Sequence, residues 1–281
     1  MEITAEQLEI DERLVSLFAP NSYEAEKYRA LAHTIELMHK ATGLQVLAVT
    51  SPVPGDGKTT TTINLAGALA QSPDARVLLM CADLRKPSVI EHLGMDNPHP
   101  VGLATAILNP GQTLTQVVER LGGFNLSVLP AGPYLANPHE ALKAPRLGEL
   151  IQEARQQYDY IVLDTPPLLL VPDCRIFSKW VDGFLMVVAA HKTPRRLVEE
   201  AQNLMDPSKL VGLVFNYDDN HIESYYYYNY LYQGDRPGTH QQQSWWTIGN
   251  HARRHFLSLD PAEISLGSKH SMATTLAFLS L

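Results

Sequence analysis

The segment Val49-Thr50-Ser51-Pro52-Val53-Pro54-Gly55-Asp56-Gly57-Lys58-Thr59-Thr60 constrains this chain more than any other. It joins an apolar run of strand length, Leu44 to Thr50, to a segment of helical length, Thr59 to Ala70. A nucleoside triphosphate needs closely approaching backbone N–H groups, a helix amino terminus, a lysine charge and a hydroxyl for magnesium. All four are supplied here. Pro54, Gly55, Asp56 and Gly57 form the bend, Lys58 is expected to reach the β- and γ-phosphates, Thr59 to ligate the ion and Thr60 to assist. Pro52 stands in place of the usual first glycine, so the formal consensus is broken. The alternative, an ordinary glycine-rich turn, is disfavoured by the strand before the loop and the helix after it.

From residue 44 onward the chain alternates apolar runs with helical segments. The predicted strands are Leu44 to Thr50, Val77 to Ala82, Leu126 to Leu129, Asp159 to Asp164, Phe184 to Ala189 and Leu210 to Asn216. These runs are nearly continuous in Val, Leu, Ile and Phe, the pattern of strands covered on both faces. Pro145 to Gln157 and Pro194 to Leu204 are predicted helices, so right-handed crossovers onto a parallel sheet are the economical topology. The fold class is α/β, a three-layer P-loop NTPase. Its second acidic element is expected at Ile161-Val162-Leu163-Asp164, where an apolar strand delivers a terminal carboxylate to the edge holding the phosphate loop. A strand-end aspartate that merely caps a helix is the alternative for Asp164.

Three segments follow. Residues 1–42 are predicted to be helical and peripheral, with Asn21 and Glu24 as a capping box before an apolar stripe of Tyr28, Leu31, Ile35 and Met38. Residues 43–220 form the P-loop domain. Residues 221–281 are predicted to be a flexible tail, rich in Gln, His, Ser and Gly and opening on Tyr225, Tyr226, Tyr227, Tyr228, Tyr230 and Tyr232.

Charge and composition exclude several classes. A net charge of −8 argues against sequence-independent nucleic-acid binding, which relies on phosphate neutralisation by Lys and Arg. No apolar run approaches the roughly 20 residues that span a bilayer. Acidic residues from Glu2 to Glu12 occupy the place of a secretory leader's basic start, so a cytoplasmic location is expected, and Met1 with this leader points to a stand-alone protein. Two cysteines make no disulfide framework, and eleven histidines lack metal-ligand spacing, so no zinc site is predicted.

These residues resemble the bacterial tyrosine kinases of capsule and exopolysaccharide synthesis, which use a P-loop. The likeness spans residues 21–232. Thr50 to Thr59 looks like that family's Walker A motif, Val77-Leu78-Leu79-Met80-Cys81-Ala82-Asp83-Leu84-Arg85-Lys86-Pro87 like its A′ motif, and Asp164-Thr165-Pro166-Pro167 like its Walker B. Gly132, Asn137-Pro138-His139-Glu140-Ala141-Leu142 and Asp173 add to it. The resemblance implies ATP and Mg2+ as cofactors, Lys58, Asp83 and Asp164 as catalytic residues, and Thr59, Asp83 and Asp164 around the metal. It also implies an adenine contact at Asn216, and tail tyrosines phosphorylated by a neighbouring subunit of a ring. A transmembrane activator or polysaccharide co-polymerase would hold the protein at the inner face of the membrane, and a tyrosine phosphatase would reverse the modification.

The chain departs from the pattern twice. The family's A′ motif carries Asp-x-Asp, and here the first carboxylate is Cys81. Its ring contact Glu-x-x-Arg-x-x-Arg becomes Glu26, Arg29 and Ala32. Cys81 motivates a second reading, a nucleotide-switched scaffold that transfers little. A third, a positioning ATPase of the ParA/MinD kind, wants a further lysine in the phosphate loop, where this chain has Ser51-Pro52-Val53.

Overall fold

The computed structural model describes residues 2–4, 9–95, 101–218 and 277–280. Its elements are β1 (Glu2–Thr4), α1 (Val15–Phe18), α2 (Tyr23–Thr42), β2 (Val46–Thr50), α3 (Lys58–Leu69), β3 (Val77–Cys81), α4 (Val89–His92), α5 (Leu103–Leu108) and α6 (Leu114–Val117). There follow β4 (Glu119–Gly122), β5 (Leu126–Leu129), α7 (Pro138–Lys143), α8 (Pro145–Gln157), β6 (Tyr160–Asp164), α9 (Asp173–Phe177), β7 (Gly183–Ala189), α10 (Arg195–Gln202), β8 (Leu210–Asn216) and β9 (Ala277–Ser280). The strands form one sheet in the order β1-β4-β5-β3-β6-β2-β7-β8-β9, parallel except for the antiparallel pair β4–β5.

Every residue of β2, β3 and β7 is buried, as their continuous apolar runs require when helices cover both faces. The main core gathers these strands with α2, α3 and α8, and a smaller cluster, including Met186, Val188, Ala201 and Leu213, lies where α10 meets β7 and β8. β4 escapes a sequence reading because it is polar at Glu119 and Arg120 and buries only its last two residues. The final apolar segment, for which the sequence offers no docking site, supplies β9 against β8, with Gly212 opposite Ala277.

The amino-terminal helix begins one residue later than its capping box predicts. Ser22, not Asn21, is the N-cap, and its hydroxyl accepts from the Ala25 N–H at 3.1 Å. Glu24 and Glu26 sit in the first turn and His39 and Lys40 in the last, each sign matching the helix dipole, and Gly43 closes the helix at φ 76°. Tyr28, Leu31, Ala32 and Ile35 are buried against the body of the domain, α3 included, and Met38 is half-buried. The stripe is therefore satisfied within the chain.

β2 carries the phosphate loop, and one carboxylate fixes where it starts. Asp182 accepts from the N–H groups of Gln45 (2.9 Å) and Val46 (2.8 Å) and from Arg155 Nη2 (2.6 Å). Burial alone would raise the Asp182 carboxyl, but Arg155 and the two N–H groups outweigh it and hold it below the usual range. In Asp173, burial is likewise outweighed by hydrogen bonds from Arg85 and His139. Both groups thus add stability that is present above the unfolded carboxyl value near about 4 and lost as pH falls through the folded one. Asp182→Asn is expected to cost roughly 1.5–3 kcal/mol at neutral pH, the worth of hydrogen bonds to a charged group. Thermal unfolding between pH 3 and 7 should show a shallower acid decline in the variant than in the parent.

Candidate active site

The loop Ser51–Gly57 leaves the end of β2 and turns into α3 at the carboxyl edge of the sheet. Gly55 (φ 87°) and Gly57 (φ 90°) take the left-handed conformation, and a Cβ on Gly57 would lie 1.9 Å from Asn216 Nδ2. Glycine is therefore required there by space as well as by φ. Asn216, at the end of β8, donates from Nδ2 to the Asp56 carbonyl at 2.9 Å. The Asp56 carboxylate accepts from Thr193 Oγ1 at 2.6 Å, so two neighbouring strands brace the loop from one side.

Lys58 is the first residue of α3, and its ammonium lies 3.2 Å from Asp83 Oδ2 and 3.2 Å from Asp164 Oδ1. Thr59 donates its hydroxyl to Asp164 Oδ2 at 2.9 Å, and Ser88 Oγ approaches the same hydroxyl at 3.4 Å. Asp83 and Asp164 are 3% and 1% exposed, so these carboxylates meet the lysine out of bulk water. Burial pushes Asp164 up against the pull of Lys58. Burial would also lower Lys58, but Asp164 and Asp83 together hold it above its ordinary value, so the ammonium stays charged. The second oxygen of Asp83 accepts from the N–H groups of Arg85 (3.2 Å) and Lys86 (3.0 Å), which locks the turn after β3.

Cys81 ends β3 directly opposite Asp164 in the parallel register. It is 1% exposed, and its thiol is pushed well up, by burial first and then by the Asp164 charge. It is therefore a neutral thiol in a pocket of ions. Cys174 is also buried, and burial pushes its thiol up to about 11, in keeping with a packed residue.

Beside this cluster lies a network that sequence spacing does not reveal. Asp173, 1% exposed, accepts from Arg85 Nε at 2.6 Å and Nη2 at 3.1 Å, and pairs with His139 Nδ1 at 2.8 Å. It ties the turn after β3 to α7 and α9. Thr193 and Ser88 are likewise missed, because each reaches the loop from a remote stretch of chain.

The hard oxygens of Thr59 and Asp164, the open glycine bend and a doubly countered lysine fit a magnesium–triphosphate unit. Among the described residues, no three His, Cys, Asp or Glu side chains form a metal-binding group. Glu26 and Arg29, the expected subunit contacts, lie partly exposed on α2 and pair with each other through Arg29 Nε at 3.0 Å. Ala32, where the resemblance wants arginine, is 4% exposed on the packed side of that helix. The six tail tyrosines lie outside the described residues.

Comparison with known proteins places this geometry. The model of a family described as "AAA domain" matches residues 44–178. The tyrosine-protein kinase YwqD of Bacillus subtilis (strain 168) is 35% identical over 205 residues, covering 72% of this chain and 85% of that one. The succinoglycan biosynthesis transport protein ExoP of Rhizobium meliloti (strain 1021) is 33% identical over 210 residues, 72% of this chain and 26% of that longer one. The crystal structure of the chimerical protein CapA2B2 superposes with a TM-score of 0.67 at 28% identity, covering 74% of this chain and 91% of that chain. By this kinship, and with Lys58, Asp83 and Asp164 gathered beside the glycine bend, the chain belongs to the P-loop tyrosine-protein kinases of bacteria.

Proposed function

We propose that the protein is an ATP-dependent tyrosine autokinase of capsule or exopolysaccharide production, transferring the γ-phosphoryl group to tail tyrosines of a neighbouring copy. The observation that carries this reading is the convergence of Lys58, Thr59, Asp83 and Asp164 on one buried point beside the glycine bend. The loop N–H groups and the α3 amino terminus hold the phosphates, Lys58 neutralises charge on the transferred group, and Asn216, which braces the loop at the Asp56 carbonyl, is the adenine contact that the family resemblance implies. Thr59 and Asp164 would hold Mg2+, with Asp83 beside them. When bound there, the ion would supply charge stabilisation to the phosphates.

An incoming phenol from Tyr225, Tyr226, Tyr227, Tyr228, Tyr230 or Tyr232 attacks phosphorus in line. The new O–P bond forms as the bond to the β,γ-bridging oxygen breaks, ADP leaves, and the phenolic proton passes to Asp83. Each phosphate adds about −1.5 to −2 charges. On a chain of net charge −8, successive modification repels the tail and loosens an assembly. Glu26 and Arg29 serve that assembly as a weakened contact between copies.

Among the described residues no helix is long and apolar enough to cross a membrane. In this reading residence at the inner face of the membrane goes through a partner, a transmembrane activator or polysaccharide co-polymerase. A tyrosine phosphatase resets the tail, and nucleic acid has no part in the scheme. Incubation with Mg·ATP and the membrane activator, followed by peptide mass spectrometry, is expected to find phosphotyrosine within residues 225–232 and none in Lys58→Met. An unmodified tail under those conditions contradicts the reading.

A further inference from the structure

Among the described residues, two that are not glycine adopt the left-handed backbone conformation, His191 (φ 58°) and Tyr217 (φ 61°). They follow adjacent parallel strands, His191 shortly after β7 and Tyr217 directly after β8, at the edge that carries the phosphate loop. Side-chain-bearing residues visit this conformation at a cost, and such residues gather at ligand clamps. The two turns are joined, with the Ala190 N–H donating to the Asn216 carbonyl at 2.7 Å and His191 Nε2 lying 3.5 Å from Asp218 Oδ1. Each also braces Asp56, through Thr193 and Asn216 as described. The backbone that sets Tyr217 is therefore fixed to the loop itself.

That backbone holds an aromatic side chain beside the phosphate loop. The Tyr217 hydroxyl lies 3.4 Å from the place a Cβ on Gly57 would occupy, yet the residue is 53% exposed. The side chain thus has its hydroxyl end against the phosphate loop while about half of the residue stays open to solvent. We propose that Tyr217 is the residue on which the base of the bound nucleotide stacks. The inference rests on the nucleotide-binding reading above and extends it to a position that neither the loop motif nor the aspartates indicate. Every base has a π face, so Tyr217 contributes affinity without choosing between purines.

The test titrates the full chain with a fluorescent ATP analogue and with ATP, GTP and inorganic tripolyphosphate as competitors. Tyr217→Ala is expected to weaken ATP and GTP about 10-fold each, to leave tripolyphosphate within about 2-fold, and to be rescued by Tyr217→Phe. Tyr217→Gly removes the backbone strain and the ring together, and should lose the same affinity while unfolding no earlier than the parent. Unchanged ATP affinity in Tyr217→Ala overturns the proposal, as does an equal loss for tripolyphosphate, which marks a structural role at Gly57. If the parent chain binds tripolyphosphate and ATP equally well, the stacking proposal falls while the phosphate site stands. If it binds neither, the nucleotide reading itself falls.

Discussion

Lys58→Met is expected to abolish phosphotransfer and to weaken the fold at the same time. The ammonium is the shared counter-ion of Asp83 and Asp164, 3.2 Å from each, and both carboxylates are buried. Removing one partner of a buried pair leaves uncompensated charge and costs about 3–5 kcal/mol. Loss of a preorganised donor to the transferred phosphoryl group is worth a further 10²–10³-fold or so in rate. Thermal unfolding should therefore show a large drop in midpoint, partly recovered by millimolar Mg2+, which replaces the missing cation between the same oxygens. A fully stable but inactive variant would show that the lysine is not a structural counter-ion. A variant that still phosphorylates its tail would remove Lys58 from the chemistry.

The second large effect concerns Cys81. Its neutral thiol sits opposite Asp164 and close enough to feel the charges of Lys58 and Asp83. Cys81→Asp places a third carboxylate around a single ammonium in a buried pocket, so the nucleotide-free protein should lose several kcal/mol of stability by about the scale of an unpaired buried charge. Mg·ATP should restore much of that loss, because the ion supplies the missing positive charge. If the resemblance to an Asp-x-Asp motif carries over, autophosphorylation rises by about 10²–10⁴-fold, the worth of one positioned acid–base group. Single-turnover measurement of phosphotyrosine in parent and variant decides it. An unchanged rate means that Asp83 alone performs the carboxylate's task.

Legibility in the sequence followed the range of the interactions involved. The loop from Pro54 to Thr60 and the buried strands were readable, because a glycine bend between strand and helix, and apolar runs without alternation, are local signals with a direct physical cause. The join of Lys58 to Asp164 was readable because strand order in a parallel sheet brings strand ends to one edge. The bracing of Asp56 by Thr193 was not readable, since its partners are 137 residues apart and threonine after a strand carries no pattern of its own. The same holds for His139, whose meaning depends on Asp173 lying 2.8 Å away. β4 is hidden by its polarity, and the Ser22 cap differs from the expected Asn21 by a choice between neighbours that only backbone geometry makes. Ala32 reads in sequence as a missing arginine and in the structure as a packed helix face.

In the proposed reading the bend at Gly55–Thr59, with Asp83 and Asp164 beside it, binds a magnesium–adenine nucleotide. Equilibrium titration of the full chain with ATP, with Mg2+ and with the ion chelated, decides whether it does. A dissociation constant between about 1 μM and 1 mM is expected with Mg2+, the usual range for working enzyme sites. It should weaken by about 100-fold on chelation or in Lys58→Met, as for removal of one partner from a charged contact. Affinity that is absent, or indifferent to both the ion and Lys58, would mean that this bend is not a nucleotide site.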